Sequence, residues 1–170
     1  GVKTFQKILT TAPLELVIAD FHHGPYVAIP GQERAQRALL LAFIDHFSRY
    51  LLESRYYLHE DYAALRFGFR RLLLAYGPFV RLYIDNGPSF HSTRFHAACQ
   101  NEALNIQVVH SKAYTSEGRG VCERANRTFK EQFESEARHR EELLTLAELN
   151  AGWEAWVAER YHRDIHSETA

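Results

Sequence analysis

The chain contains no methionine, only two cysteines and no long apolar run, and each of these shortages excludes some classes of protein. No stretch approaches the roughly 20 apolar residues of a membrane-spanning helix. No charged start followed by an apolar block marks a secretory signal, so we expect a cytosolic protein. Cys99 and Cys122 lack a CxxC partner, so the spacing indicates neither a disulfide framework nor a cysteine zinc site. The missing methionine and the glycine at position 1 lead us to expect a piece of a longer protein.

The net charge is also small, at −1, and does not by itself indicate a nucleic-acid-binding protein. Its distribution is uneven, however. Residues 110–130 carry five basic against two acidic side chains, whereas residues 131–159 carry eight acidic against two basic. A local basic patch can contact phosphates in a protein of neutral total charge. The alternative is a solvated helix surface of mixed charge.

What is present is the composition of one folded domain: 170 residues, of which 46% are hydrophobic and 13% aromatic. Apolar runs predict five strands, at 14–20, 37–45, 50–58, 80–84 and 106–109. Helical spacing predicts helices at 61–76, 92–104, from 120 past 133, and 146–162. Glycines, prolines and polar residues predict loops at 22–34, with a little strand near 26–29, and at 110–120. This order favours a mixed sheet flanked by helices.

Three acidic residues stand at the boundaries of these elements. Asp20 and Asp85 each end an apolar strand, and Glu123 lies on the first turn of a helix. Carboxylates that converge on one point repel each other unless a hard cation lies between them, and oxygen ligands suit Mg²⁺ or Mn²⁺. The pattern indicates metal-assisted phosphoryl transfer. Each residue could instead be an ordinary turn or cap residue, and Asp45 competes with Asp20 as the first carboxylate.

Four segments and the chain end carry a specific resemblance. The segments are Ala19-Asp20, Phe43-Ile44-Asp45-His46-Phe47-Ser48-Arg49, Tyr83-Ile84-Asp85-Asn86-Gly87, Tyr114 to Phe133, and Tyr161-His162 with His166. In this order they resemble the catalytic core of the DDE integrases and transposases, the retroviral-integrase-like branch of the ribonuclease H fold. The chain most resembles bacterial insertion-sequence transposases that also have Gly-Pro-Tyr after the first Asp, as in Gly24-Pro25-Tyr26, and His162 replaces the Asn of the closing family pattern.

The resemblance implies a fold and a metal site. The fold is α/β and ribonuclease H-like, with a mixed five-stranded sheet flanked by helices. Residues 14–166 would form the catalytic core, with an N-terminal extension at 1–13 and a tail at 167–170. Asp20, Asp85 and Glu123 would be the catalytic metal ligands for two Mg²⁺ or Mn²⁺ ions in the DNA-bound state. By analogy with the family, Asp20 would bridge both ions. In that family the position of Asp45 belongs to a segment that is mostly structural.

The predicted helix that carries Glu123 has a charged face. Glu123, Arg127, Lys130 and Glu134 follow helical spacing, opposite an apolar stripe. Arg127 and Lys130 would therefore grip DNA phosphates beside the reacting bond. The alternative for Arg127 is an ion pair with Glu123 one turn away.

Further contacts follow from the resemblance of loop 110–120 to the family's mobile active-site loop. Tyr114 would lie near the scissile phosphate, and Gly118 and Gly120 would let the backbone move. The full set of expected DNA-binding residues is Lys112, Tyr114, Arg119, Arg127 and Lys130. Asn86 and Asn126 would support the carboxylates. We expect the histidine pairs His22-His23 and His162/His166 to have structural or surface roles.

The function implied is that of a transposase or integrase, which cleaves DNA ends and transfers strands with Mg²⁺. Its partners would be DNA, both element ends and target, and further copies of the chain in a homodimer or higher oligomer. We expect a cytoplasmic, bacterial, nucleoid-associated location and no membrane. Two alternatives stay open. One is a nuclease of the same fold that only hydrolyses, and the other is a catalytically silent, domesticated DNA-binding module.

Overall fold

A five-stranded sheet forms the centre of the molecule. The computed structural model describes residues 9–84, 88–110 and 117–169. The strands lie in the order β3-β2-β1-β4-β5; β1 to β3 are antiparallel, and β1, β4 and β5 run parallel. This mixed sheet confirms the predicted fold class. The strands are β1 (Leu16–Val27), β2 (Gln36–Asp45), β3 (Leu51–Tyr57), β4 (Arg81–Ile84) and β5 (Gln107–His110).

The helices cover both faces of the sheet. Two stretches of π-helix, Lys130–Glu134 and Val157–Tyr161, interrupt the long helical runs near the C-terminus. No helix among the described residues is long and apolar enough to cross a membrane. The helices are α1 (Tyr62–Tyr76), a 3-10 turn (Pro88–His91), α2 (Thr93–Gln100), α3 (Glu117–Phe129), α4 (Ser135–Arg138), α5 (Leu146–Trp156) and α6 (His162–Thr169).

Strand β1 is longer than the sequence predicts. The expected loop at 22–34 is wrong in its first part, because β1 continues to Val27 and pairs with β2 along its length. Gly24 and Pro25 indicate a loop locally, but they fall where the register shifts between His23 and Tyr26. Such a bulge accommodates proline within a sheet. Gly24 is also required by close packing, since a Cβ there would meet the Tyr56 ring at 2.6 Å.

Local signals fix the starts of three helices. Asp61 accepts a hydrogen bond from the Ala64 N–H at 2.9 Å and caps α1, as predicted. Ser92 caps α2 in the same way, although that helix ends at Gln100 rather than near 104. Thr145 and Glu148 form a reciprocal capping box at the start of α5. These short-range contacts satisfy N–H groups that have no partner inside the helix.

The alternating side chains of the sheet divide the interior into two cores. Val17 and Ala19 pack on one face with α1 and α2. Leu16 and Ile18 pack on the other face with α3 and α5. Because successive residues of a strand point to opposite faces, Asp20 belongs to the α3 side of the sheet. This placement decides which helix can reach it.

Aromatic packing holds α3 against α5. Phe129, at the end of α3, is fully buried and meets the Trp153 ring edge-on, with centroids 5.0 Å apart. The same ring contacts Trp156 and Tyr161. Trp153 in turn donates from its indole N–H to the Ser54 hydroxyl at 2.8 Å. A large, densely packed core of this kind keeps α3 at a fixed position over the sheet.

Candidate active site

Asp20 and helix α3 are joined by a direct hydrogen bond. The Asn126 side chain donates from Nδ2 to the Asp20 Oδ2 at 3.0 Å, across 106 positions of sequence. Asp20 is half-buried in β1, opposite Ala42 of β2. The sequence placed Asp20 at the end of a strand, whereas it lies within a longer one. The bond brings a predicted catalytic residue and a predicted supporting residue together.

The parallel strand β4 ends beside Asp20. Its last residue, Ile84, is in register with Ala19, the residue that precedes Asp20. On the far side Ile84 pairs with His110, the last residue of β5. The last residues of β4 and β5 therefore lie at the same end of the sheet as Asp20. Asp85 and Asn86, which follow Ile84 in the chain, lie outside the described residues.

Three predicted residues of α3 and of the π-helix that continues it are exposed. Glu123, Arg127 and Lys130 share one side of the helical run and lie open to solvent. Asn126 lies three positions after Glu123, on the same side, and is half-buried against β1. The helical run thus carries a carboxylate and two cations on the side of Asn126, the residue that contacts Asp20.

Glu134 was predicted to lie on the same exposed face as Glu123, but this prediction is wrong. Its carboxylate is fully buried, accepts a hydrogen bond from the Tyr56 hydroxyl at 2.8 Å and lies 3.0 Å from His22 Nε2. The π-helix at Lys130–Glu134 is the cause, because its wider turn changes the direction of the side chains that follow. Burial, and then the Glu134 charge, raise the pKa of Tyr56 well above its usual range. Glu134 is therefore part of the interior.

Arg127 and Glu123 do not form the ion pair that was the alternative for Arg127. Within the described part of the chain, the ion pairs are His22–Glu134, Arg71–Glu53 and Arg138–Glu134. The Arg127 guanidinium therefore has no ion-pair partner among the described side chains of its own helix. It remains available to an external anion.

Asp45 is a structural residue. It is 1% exposed, and its oxygens accept the Leu14 N–H and the Ser48 N–H, each at 2.8 Å. The Ser48 hydroxyl donates to it as well. Three donors on one buried carboxylate stabilise the turn between β2 and β3. A carboxylate so occupied and so enclosed is a poor ligand for a solvent-accessible cation.

The predicted loop at 110–120 ends earlier than expected. Residues 117–120 form the first turn of α3, so Gly120 and Arg119 are helical, and Arg119 is exposed there. Lys112 and Tyr114 lie outside the described residues. The sequence missed the helix start because Gly118 and Gly120 are typical of loops and poor helix formers.

Two of the histidines predicted to have structural or surface roles, His22 and His162, have internal partners. His22 contacts Glu134, and the ring of His162 stacks on Tyr50 with centroids 3.8 Å apart. His162 Nε2 also lies 3.1 Å from the Leu51 carbonyl oxygen. His23 is exposed, and the His166 side chain is outside the described part.

A second set of histidines was missed by sequence reasoning. The ring of His110 stacks between those of His91 and His96, at centroid distances of 5.5 and 5.2 Å. His110 Nδ1 is buried and has no hydrogen-bond partner among the described residues. Burial, followed by the charges of His96 and His91, lowers the pKa of His110. No sequence pattern signals this stack, since its members come from the 3-10 turn, α2 and β5.

The chemistry of the donor set fits a hard cation. Asp20 and Glu123 supply carboxylate oxygens, the ligands preferred by Mg²⁺ and Mn²⁺. Asn126 supplies the kind of hydrogen bond that orients a metal-binding carboxylate. Within residues 9–84, 88–110 and 117–169, no three acidic, histidine or cysteine side chains converge as a metal site. Asp85, the third expected ligand, is not among those residues.

Solved structures that are similar to this fold include catalytic cores of retroviral integrases. The chain superimposes on the simian T-cell lymphotropic virus intasome with a TM-score of 0.69 and 18% identity, covering 89% of this chain and 51% of that one. For the HTLV-2 integrase catalytic core domain in complex with magnesium, in a dimeric form, the TM-score is 0.63 at 19% identity, with 87% and 88% covered. The BIV integrase core gives 0.62 at 19%, with 92% and 99% covered. The ribonuclease H-like fold inferred from the sequence is therefore confirmed.

Comparison of sequences alone matches a smaller part of the chain than comparison of structures does. The chain is 28% identical over 96 residues to the intracisternal A-particle Pol-related polyprotein of the mouse element MIA14. That match covers 56% of this chain but only 11% of the polyprotein. No protein-family model matches the chain.

Proposed function

We propose that residues 14–166 are the catalytic core of a DDE integrase or transposase, which cleaves DNA ends and joins them to target DNA. The observation that carries this proposal is the Asn126–Asp20 hydrogen bond, which puts Asp20 under the helix that bears Glu123. The fold shared with integrase cores and the partial match to a Pol-related polyprotein support it.

The register of β4 supports Asp85 as the partner of Asp20. Ile84 pairs with Ala19, and neighbouring Cα atoms are about 3.8 Å apart along a chain. In the sequence, Asp20 directly follows Ala19 and Asp85 directly follows Ile84, the two residues that form this last pair. We infer that the two carboxylates meet at this edge and that Glu123 approaches them from α3.

Each residue has a proposed task. Asp20, Asp85 and Glu123 would hold one or two Mg²⁺ or Mn²⁺ ions, and Asn126 would orient Asp20. When bound, such ions activate the attacking oxygen and stabilise the leaving oxygen of a phosphodiester. Arg127 and Lys130 would bind DNA phosphates next to the carboxylates. The remaining expected DNA contacts, Lys112, Tyr114 and Arg119, stay predictions. So do the supporting role of Asn86 and the cytoplasmic, nucleoid-associated location.

A homodimer or a higher oligomer is part of the proposal. The HTLV-2 integrase core has been solved in a dimeric and in a trimeric form. Two DNA ends must also be brought together before both are joined to one target. We therefore expect at least two copies of the chain on DNA.

The test is a joining assay with the 170-residue chain. A labelled DNA duplex with a free 3′-hydroxyl is incubated with supercoiled plasmid and Mn²⁺, and joined product is measured on a gel. We expect joining by the unmodified chain, none by Asp20→Asn or Glu123→Gln, and unchanged joining by Glu131→Gln. Glu131 is exposed on the helical run that follows α3, so that variant removes the same kind of charge away from the site.

The other outcomes identify the alternatives. Nicking of the plasmid without joining would indicate a hydrolysis-only nuclease. DNA binding that needs no divalent metal, together with no product and no effect of either carboxylate variant, would indicate a silent DNA-binding module. Joining by the Asp20→Asn variant would refute the site assignment itself.

A further inference from the structure

A cavity lies on the flank of α3, between that helix, the end of β2 and the start of α6. Its volume is about 400 Å³, which is within the range of small-molecule sites. Arg49, Arg124 and Arg127 line it, together with Ile44, Val121 and Tyr161. Arg127 faces both this cavity and the Glu123 side of the helix, whereas Arg124 and Arg49 were in no predicted site.

The cavity concentrates positive charge. Three of the side chains that line it are arginines, and none of its described lining residues is acidic. Arg124 and Arg127 make no ion pair with any carboxylate in the described part of the chain. Two neighbouring guanidinium groups that form no ion pair with a described carboxylate favour a bound anion, and arginine binds phosphate through paired N–H donors.

The floor of the cavity is apolar. Ile44 and Val121 are 2% and 4% exposed, and Tyr161 is 7% exposed with its ring packed on Phe129 and Trp156. These side chains belong to the rigid core, so the floor is preformed. A phosphate alone would need only the arginines. Cations above a preformed apolar floor suit a ligand with a phosphate at one end and an apolar body at the other.

We propose that this cavity binds one unpaired nucleotide of a DNA strand. Its phosphate contacts Arg124 and Arg127, and its sugar and base lie against Ile44, Val121 and Tyr161. A base inside a duplex is stacked and paired, so it cannot enter a concave site without being extruded. Single strands expose their bases and bind where cations and apolar surface occur together. This proposal depends on the proposed function in one respect, which is that DNA is the binding partner.

The test measures binding in EDTA, so that it does not depend on metal chemistry. A labelled oligothymidylate and a blunt duplex are titrated with the chain, and affinity is followed by fluorescence anisotropy. Arg124→Gln removes a cation, and Thr128→Trp fills the cavity without changing charge, since Thr128 lines it and is half-buried. Arg70→Gln, at an exposed position on α1 across the sheet, is the matched charge control.

We expect Arg124→Gln to weaken oligothymidylate binding about tenfold, as loss of a charged hydrogen bond does. Thr128→Trp should weaken it similarly while duplex affinity stays within about twofold, because a duplex does not enter the cavity. Arg70→Gln should change neither. Thermal unfolding shows whether Thr128→Trp is folded, and Thr128→Met is the smaller replacement if it is not.

Three results would overturn the assignment. Equal weakening by Arg124→Gln and Arg70→Gln would mean non-specific attraction. Weakening by Arg124→Gln without any effect of filling the cavity would mean a phosphate contact at its rim only. No effect of either cavity variant would mean that no nucleotide binds there. Cavity-dependent binding by a chain that fails the joining assay would leave this inference intact while the enzymatic proposal fails.

Discussion

Asn126 donates a hydrogen bond from Nδ2 to the Asp20 carboxylate at 3.0 Å. This bond connects the central strand β1 to helix α3, whose position is fixed by the buried Phe129 and Trp153. The carboxylate is therefore held in one orientation before any cation binds. Supports of this kind keep metal-binding groups in productive geometry at low entropic cost.

Removal of that support should reduce the rate of joining without unfolding the protein. We expect Asn126→Ala to lower the joining rate about 10- to 100-fold, the usual effect of losing a group that orients a metal ligand. Asn126→Asp should be at least as severe, because it adds a negative charge next to Asp20. Gln132→Ala, at an exposed position on the same helical run, is the control. An unchanged rate in Asn126→Ala would show that the bond does not position Asp20.

Asp45 and Asp20 should respond in opposite ways to the same substitution. Asp45→Asn leaves the Leu14 or Ser48 donors without a full acceptor in a buried turn, so we expect a loss of about 1–3 kcal/mol in the free energy of unfolding. Asp20→Asn should abolish joining and change stability little. Urea denaturation of both variants, beside the joining assay, makes the comparison. A stable Asp45→Asn variant that lacks activity would reverse the two roles.

Asn150 stabilises the edge of the sheet. Its side-chain amide accepts from the Tyr56 N–H at 2.8 Å and donates to the Tyr56 carbonyl at 3.0 Å, so it pairs with edge strand β3 as another strand would. We expect Asn150→Ala to lower the free energy of unfolding by about 2 kcal/mol, because two buried backbone groups lose their partner. Glu154→Gln, exposed on the same helix, should have no measurable effect. Equal denaturation midpoints for all three proteins would contradict this role.

The histidine stack should make stability depend on pH. Burial and the neighbouring His96 and His91 lower the pKa of His110 below the ordinary 6.5. The unfolded chain therefore takes up a proton at a higher pH than the folded chain does. Stability from this site is complete above about pH 6.5 and is lost as pH falls from there towards the lower pKa of the folded protein.

His110→Phe keeps an aromatic ring in the stack and removes the titration, so the fall in melting temperature between pH 7 and pH 5 should become smaller. His59→Phe, at an exposed position, is the matched control and should leave the slope unchanged. If His110→Phe shows the same slope as the unmodified chain, acid sensitivity arises elsewhere.

Sequence reasoning was most accurate where the signal was local. The strand at 37–45 and the helix at 61–76 were predicted within one residue, the latter with its Asp61 cap. The resemblance carried by the segments around Asp20, Asp45 and Asp85 led to the fold that the comparison structures confirm. Apolar periodicity and capping depend on residues a few positions apart, so they can be recognised without knowledge of the fold.

The tertiary structure decided what depends on distant contacts. Pairing with β2 extended β1 through Gly24 and Pro25, and the π-helix before Ser135 turned Glu134 into the interior. Three donors brought together by the fold made Asp45 structural. By itself the sequence determined the order of the elements and the candidate carboxylates. Which carboxylate is buried and which meets α3 was settled only by tertiary packing, because hydrogen bonds in the folded chain join residues up to 112 positions apart.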